Sequence, residues 1–269
     1  MVDTGYGYPL DGYLKTNLDE AIRVVKNDWD MIFCVDGYEG SGKSTLAIQM
    51  AYYCDPTLTV ERITFTPKEF KNAIMNADKY QAVVFDEAFT GLSSREAMSG
   101  INKSLIQMIA EIRQKNLFVF VVMPSFFDLD KYIALHRSRA LIHVYANRFQ
   151  RGFFRFYDIE KKKDLYITGK KFYSYKGVMS NFYGTFSSFL PIDNDAYKKK
   201  KHDSLHNKKE SDGESTAERR EFSKRLFEHL KQFDWIPNIK KAQIIGITEA
   251  TFYNWVKRDG VVDEDDGDL

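Results

Sequence analysis

Over the first 147 residues, short continuous apolar runs alternate with longer stretches in which apolar residues recur at helical spacing. The runs Met31–Val35, Ile63–Phe65, Ala82–Phe85, Leu117–Val122 and Ala140–Tyr145 read as five buried strands. Helical patterns fall between them. One begins at Leu46 and stops near Cys54, where Asp55-Pro56 ends it. A second starts at Thr66-Pro67-Lys68-Glu69, an N-cap with proline at the first helical position, and runs to about Asp78. A third carries Ile101, Leu105, Ile109 and Ile112 on one face and closes at Arg113-Gln114-Lys115-Asn116. A short helix is expected over Asp128–Leu135. Alternation of this kind predicts an α/β fold, a parallel five-stranded sheet with helices on both faces and ligand at the carboxyl ends of its strands. Ahead of the first strand, the turn residues Gly5, Gly7, Pro9 and Gly12 precede a helical stretch around Leu18–Lys26. Tyr6, Tyr8 and Tyr13 in this arm either strap the core, the plainer reading, or pack on a neighbour or beside a nucleotide base.

The pattern then changes. Residues 1–150 read as the core with its N-terminal arm, and residues 151–190 as a small aromatic-rich β extension with a hairpin across Glu160–Asp164. There Phe153, Phe154, Phe156, Tyr157, Tyr166, Phe172, Tyr173 and Tyr175 interleave with Arg151, Arg155, Lys170, Lys171 and Lys176. Such a surface either binds nucleic acid or packs its aromatics on the main sheet, and the second reading is preferred because aromatics are ordinary strand formers. Residues 191–218, with Lys198–Lys201 and Lys208-Lys209, read as a flexible basic linker. In residues 219–262, Phe222, Leu226, Leu230 and Phe233 form one stripe, and Asn238–Ile245 a second helix. Gly246-Ile247 forms a turn, and Thr248 caps a third helix, Glu249–Lys257. This is a helix-turn-helix outline, with Phe252, Trp255 and Val256 inward and Thr251, Asn254, Lys257 and Arg258 outward as candidate DNA contacts. A helical oligomerisation bundle is the plainer alternative. Residues 263–269 form an acidic tail.

The sharpest local chemistry lies at Gly37-Tyr38-Glu39-Gly40-Ser41-Gly42-Lys43-Ser44-Thr45, which fits the phosphate-loop pattern G-x-x-x-x-G-K-[ST] between a strand and a helix. Glycines let backbone N–H groups close around phosphate oxygens, and the following helix directs its positive end at the same anion. Lys43 is then expected on the β/γ-phosphates and the Ser44 hydroxyl on Mg²⁺. The strand Ala82–Phe85 ends in Asp86-Glu87, which places Asp86 to hold the metal and Glu87 to polarise a water for attack on the γ-phosphate. Ser125, after the fourth strand, is either a γ-phosphate sensor or a turn hydroxyl.

The chain has 269 residues and a net charge of +1, so no global field announces a nucleic acid or membrane partner. Cys34 and Cys54 read as buried hydrophobes in a reducing compartment. The N-terminus lacks a basic-then-apolar leader signature and no apolar run is long enough to span a bilayer, so a cytoplasmic protein is expected, in the host cytoplasm if viral.

Together, the loop at Gly37–Thr45 and the strand Ala82–Glu87 resemble the Walker A and Walker B motifs of the additional-strand, catalytic-glutamate class of P-loop ATPases, over about residues 29–147. Within that class the chain resembles the small DNA-pumping ATPases: viral packaging ATPases, the FtsK/HerA group and zonula-occludens-toxin-like phage proteins. The arginine helix Ile109–Arg113 leading into the strand Leu117–Met123 carries this likeness, with the appended helix-turn-helix. Met123-Pro124-Ser125 departs from it where FtsK/HerA proteins often show Gln, and residues 150–269 hold no acidic nuclease cluster of the terminase kind. The resemblance implies ATP and Mg²⁺ as cofactors and ATP hydrolysis coupled to translocation of double-stranded DNA. It also implies a homo-oligomeric ring in which a neighbour's arginine reaches the γ-phosphate, with a portal or other packaging or replication protein as a possible partner. Arg95, Arg113, Arg137 and Arg139 are candidates, with Arg113 and Arg95 first because both are expected near the strand ends that border the site. The alternative is a DNA-binding ATPase switch, such as a helicase loader or a transposition or replication regulator. A small-molecule kinase is disfavoured by the Asp86-Glu87 pair and the lack of an arginine-rich lid, a GTPase by the lack of an Asn-Lys-x-Asp motif. The intact Lys43, Asp86 and Glu87 speak against a non-enzymatic DNA-binding regulator.

Overall fold

The computed structural model describes residues 1–86, 95–233 and 236–259. Glu87 and the acidic tail lie outside the described residues. In chain order the elements are β1 (Val2–Asp3), β2 (Pro9–Leu10), α1 (Gly12–Lys26), β3 (Met31–Gly37), α2 (Lys43–Cys54) and β4 (Ile63–Thr64). Next come α3 (Pro67–Asn76), β5 (Ala82–Phe85), α4 (Arg95–Gln114), β6 (Phe118–Met123), β7 (Ala140–Asn147) and β8 (Gln150–Tyr157). Last are α5 (Ile159–Gly169), β9 (Phe182–Thr185), α6 (Asn194–Lys231), α7 (Asn238–Ile245) and α8 (Glu249–Asp259). Two compact units divide the chain, Met1–Ser204 and Leu205–Leu269.

The first unit is built on a mostly parallel sheet with helices on both faces. Its order is β4-β5-β6-β3-β7-β8-β9. The first five run parallel, so β6 intervenes between the strand that leads into the glycine loop and the strand that ends at Asp86. Beyond these five parallel strands, β8 and β9 from the aromatic-rich stretch extend the same sheet in antiparallel sense, giving seven strands among the described residues. Alternation along β3 explains the two layers. Phe33 and Val35 pack with α1 and α2 on one face, while Ile32 and Cys34 pack with α3, α4 and α5 on the other. Helix α2 is buried on nearly every side, as a central helix of a covered sheet must be. Tyr8 straps it, donating its hydroxyl to the Gln49 carbonyl at 2.6 Å, and Gln49 Nε2 donates to the Phe189 carbonyl at 2.6 Å. Thr66 caps α3 by accepting from the Glu69 N–H at 3.2 Å, with Pro67 at the first helical position. Asn116 closes α4 at φ 51°.

Two expectations fail here for physical reasons, and a third is met with shifted bounds. The stretch Glu160–Asp164 is the interior of α5, with Asp158 accepting from the Glu160 and Lys161 N–H groups as its cap. The three lysines are not a solvated turn: Lys162 is fully buried and donates to the Ala134 carbonyl. Residues 191–218 are not a structureless tether, because α6 starts at Asn194 and its first turns are packed into the first unit. Tyr197 is buried against Phe65, and Lys200 Nζ donates to the carbonyls of Val60, Glu61 and Ile63 at 2.9, 3.2 and 2.7 Å. The short helix expected over Asp128–Leu135 is present but shifted: a 3₁₀ turn at Phe126–Asp128 precedes helical backbone over 131–137, of which Ile133–Arg137 is a π turn.

In the second unit the end of α6, α7 and α8 share a small core of Phe227, Leu230, Ala242, Ile245 and Phe252. Gly246 at φ 76° makes the turn, and Thr248 caps α8 by accepting from the Thr251 N–H at 3.2 Å. Val256, expected inward, is exposed, and so is Phe222 of the expected stripe. Asn254 and Lys257 are exposed, Thr251 is half-buried, and the side chain of Arg258 lies outside the described residues. Among the described residues, no helix is long and apolar enough to cross a membrane.

Burial pushes Lys162 down from the ordinary 10.5 to about 8. The folded protein therefore binds fewer protons at this site than the unfolded chain between about pH 8 and 10.5, and stability rises with pH across that window. In urea titrations, wild type should gain on the order of 1–2 kcal/mol between pH 7 and 9.5 relative to Lys162→Met, which lacks this group.

Candidate functional site

The glycine loop leaves β3 at the carboxyl edge of the sheet and hands the chain to α2. Gly37, Gly40 and Gly42 have φ of 139°, 74° and 101°, all in the region that disfavours a side chain. At Gly37 a Cβ would stand 2.0 Å from the Val144 carbonyl oxygen of β7. At Gly42 it would stand 3.0 Å from the Phe186 ring. The loop thus lies tight against β7 and the segment after β9. Ser41 Oγ is buried there with no hydrogen-bond partner among the described residues. An orphaned hydroxyl beside backbone that only glycine fits is what a cradle for an anion's oxygens requires. Lys43 Nζ donates to the Tyr38 carbonyl at 2.9 Å. Burial lowers its pKa, against the pull of the nearby Asp86, Asp36 and Glu39 carboxylates, and Lys201 adds to the lowering.

Asp86, at the exit of β5, is fully buried. Its backbone N–H donates to the Thr64 carbonyl at 2.8 Å, which holds the turn beside β4. Oδ1 accepts from the Ser44 hydroxyl at 2.8 Å. That bond joins residues from β5 and α2, across the intervening β6. Oδ2 accepts from the Tyr197 hydroxyl at 2.9 Å and has the Lys201 ammonium at 3.6 Å. A second buried acid, Asp36, sits just ahead of Gly37. Its Oδ1 meets His143 Nδ1 at 2.9 Å, and its Oδ2 accepts from the Phe126 N–H at 2.9 Å and from the Tyr175 hydroxyl. Burial, reinforced by the Asp36 carboxylate, holds the Tyr175 phenol well above its ordinary range. Tyr175 also stacks on His143, with ring centroids 3.9 Å apart.

No family model matches the sequence. The search of curated proteins finds no match either. Among solved structures, the chain is similar to the crystal structure of the N-terminal domain of zonular occludens toxin from Neisseria meningitidis. The likeness has 14% identity and a TM-score of 0.36, over 63% of this chain and 98% of that one. A likeness that distant does not say what this chain does.

The structure brings Gly37, Gly40, Ser41, Gly42, Lys43, Ser44 and Asp86 to one edge. Tyr38 is exposed at the loop tip. Ser125 caps the 3₁₀ turn after β6, accepting from the Phe127 N–H at 3.3 Å, so the turn role is occupied. Arg113 is a correction. It closes α4, which leads into the start of β6, so it lies at the amino edge, where it meets Asp28 at 3.3 Å and Asp30 at 4.0 Å. Arg137 shares that edge and holds Asp30 at 2.6 Å, and Arg139 lies over the Trp29 ring at 5.0 Å. Arg95 begins α4, and its side chain lies outside the described residues. Sequence reasoning missed Tyr197 and Lys201. The available signal was Tyr197, the one Phe, Tyr or Trp in the polar run 194–209, four residues before Lys201 and so on the same helical face.

Gly37→Ala should destabilise the protein by about 2–4 kcal/mol, because both the backbone angle and the Val144 carbonyl oppose a Cβ. Denaturant midpoints of the two proteins check this; a loss under about 1 kcal/mol would show that the loop relaxes freely.

Proposed function

We propose that this chain binds and hydrolyses ATP with Mg²⁺ and, as a homo-oligomeric ring, couples turnover to movement of double-stranded DNA for packaging or transfer by a virus or mobile element. The observation that carries the ATPase part is the Ser44–Asp86 hydrogen bond at 2.8 Å, set beside a glycine loop whose Ser41 hydroxyl has no partner among the described residues. A hydroxyl and a carboxylate held together at the mouth of an anion cradle fit a divalent ion with its phosphates. The ion would neutralise phosphate charge as it develops in the transition state.

In this reading the loop N–H groups and the first turn of α2 hold the phosphates, with Lys43 turning from the Tyr38 carbonyl to their oxygens. Ser44 and Asp86 would hold the metal, and Glu87, next in sequence, would take the proton of the attacking water. The DNA-pumping part draws on the small C-terminal unit, whose α8 presents Asn254 and Lys257 to solvent. The second reading, a DNA-binding ATPase switch, is favoured by one observation. Tyr197 and Lys201 tie the candidate metal ligand Asp86 to the helix that continues toward that unit.

Lys43→Ala should abolish nucleotide binding measured with a fluorescent ATP analogue. Glu87→Gln should bind ATP as wild type does and hydrolyse it at least about 100-fold more slowly. Wild-type turnover by that variant would remove Glu87 from its role. Deleting residues 219–269 should weaken duplex DNA binding about tenfold or more while sparing basal turnover, as expected when phosphate and base contacts are lost. Turnover rates with and without duplex DNA, on samples whose subunit number is read by native mass, separate motor from switch. DNA stimulation of a ring supports the motor, and a monomer stimulated by a protein partner supports the switch.

A further inference from the structure

The first turns of α6 form a docked face rather than a loose run of lysines. Tyr197, Lys200, Lys201 and Ser204 recur at helical spacing and point the same way. Lys200 caps three carbonyls near β4, and Ser204 donates to Glu69 at 3.2 Å. These contacts fix the position from which Tyr197 and Lys201 reach Asp86. Both engage the same oxygen, Oδ2, while Ser44 engages Oδ1.

We propose that Lys201 is a tethered counter-ion for Asp86, occupying the charge position that Mg²⁺ takes when nucleotide binds, so that metal and ammonium compete for one carboxylate. The inference rests on the ATPase reading above and deepens it by assigning a further residue to the metal site. The physical ground is electrostatic. Asp86 is fully buried, so its charge needs compensation in the nucleotide-free protein. An ammonium at 3.6 Å supplies it. A divalent ion seated on the same oxygens would face that ammonium at short range in a poorly screened site, and the repulsion disfavours holding both. The lysine is long, single-charged and three-quarters covered, so it can retract along its own stem without unfolding the helix. Lys43 donates to the Tyr38 carbonyl rather than to Asp86, so the two cations have separate posts.

The test uses the full chain and a non-hydrolysable fluorescent ATP analogue titrated at increasing Mg²⁺. Lys201→Gln removes the competing charge, and half-saturating Mg²⁺ should fall by about three- to tenfold, the scale of one partly covered charge contact. Lys201→Arg keeps the charge and should stay near wild type. Lys201 reactivity toward an amine-labelling reagent, read by mass spectrometry on wild type, gives a check that needs no variant. It should rise with nucleotide plus Mg²⁺ and not with nucleotide in EDTA. An unchanged or higher Mg²⁺ requirement in Lys201→Gln, or unchanged labelling, would overturn the proposal. A drop in nucleotide affinity at every Mg²⁺ level would also overturn it, assigning Lys201 to phosphate instead. If wild type shows no Lys43-dependent nucleotide binding, the ATPase reading fails and takes the proposal with it.

Discussion

Two carboxylates buried at the carboxyl edge of a parallel sheet are the constraint from which the arrangement follows. An ionised acid without partners in the interior costs several kcal/mol, so Asp36 and Asp86, both fully buried, must each recruit donors. Among the described residues, each draws on donors far along the chain. Asp36 draws on β7 through His143, on the exit of β6 through the Phe126 N–H, and on the segment after α5 through Tyr175. Asp86 draws on α2 through Ser44 and on α6 through Tyr197 and Lys201. The elements that surround the glycine loop are those that satisfy these two acids.

The parallel core and the loop were legible in the sequence because both are locally encoded. Strands covered on both faces read as unbroken apolar runs, and the glycines announce backbone that no other residue tolerates. The antiparallel continuation was less legible. Residues of β8 alternate buried and exposed positions irregularly, and aromatic content alone does not distinguish a strand that joins a sheet from one that packs on it. Glu160–Asp164 misled for a different reason. A short charged stretch between aromatic runs resembles a turn, yet Asp158 caps a helix there and its phase turns Lys162 into the core.

Lysine-rich stretches posed the same difficulty twice. Composition reports many charges and predicts solvation, but a lysine carries a long apolar stem and three donors, and it can satisfy buried carbonyls or acids. Which of the adjacent Lys198, Lys199, Lys200 and Lys201 turns inward is a question of helical phase. Tyr197 fixes that phase by being buried, after which Lys200 meets backbone carbonyls and Lys201 meets Asp86. The informative residue was the aromatic one in the polar run.

The position of Arg113 was derivable and was misjudged. In a parallel sheet, a helix that leads into a strand must return to the amino edge before that strand begins. Arg113 closes such a helix, so topology alone sends it away from the edge where Gly37 and Asp86 lie. What holds it there also bears on any role across a subunit boundary. Asp30 is only 2% exposed and is compensated by Arg137 at 2.6 Å and Arg113 at 4.0 Å. Withdrawing the closer arginine to serve a neighbour's phosphate would leave a buried acid with only the distant Arg113, a cost approaching the ~3–5 kcal/mol of a broken buried pair. Arg113 is half-exposed and the more distant of the two, so it could leave at lower cost, but only toward a neighbour that approaches from the amino edge. A ring built on this chain would therefore have to set the amino edge of one subunit against the carboxyl edge of the next for Arg113 to act, while Arg137 is bound to a structural task.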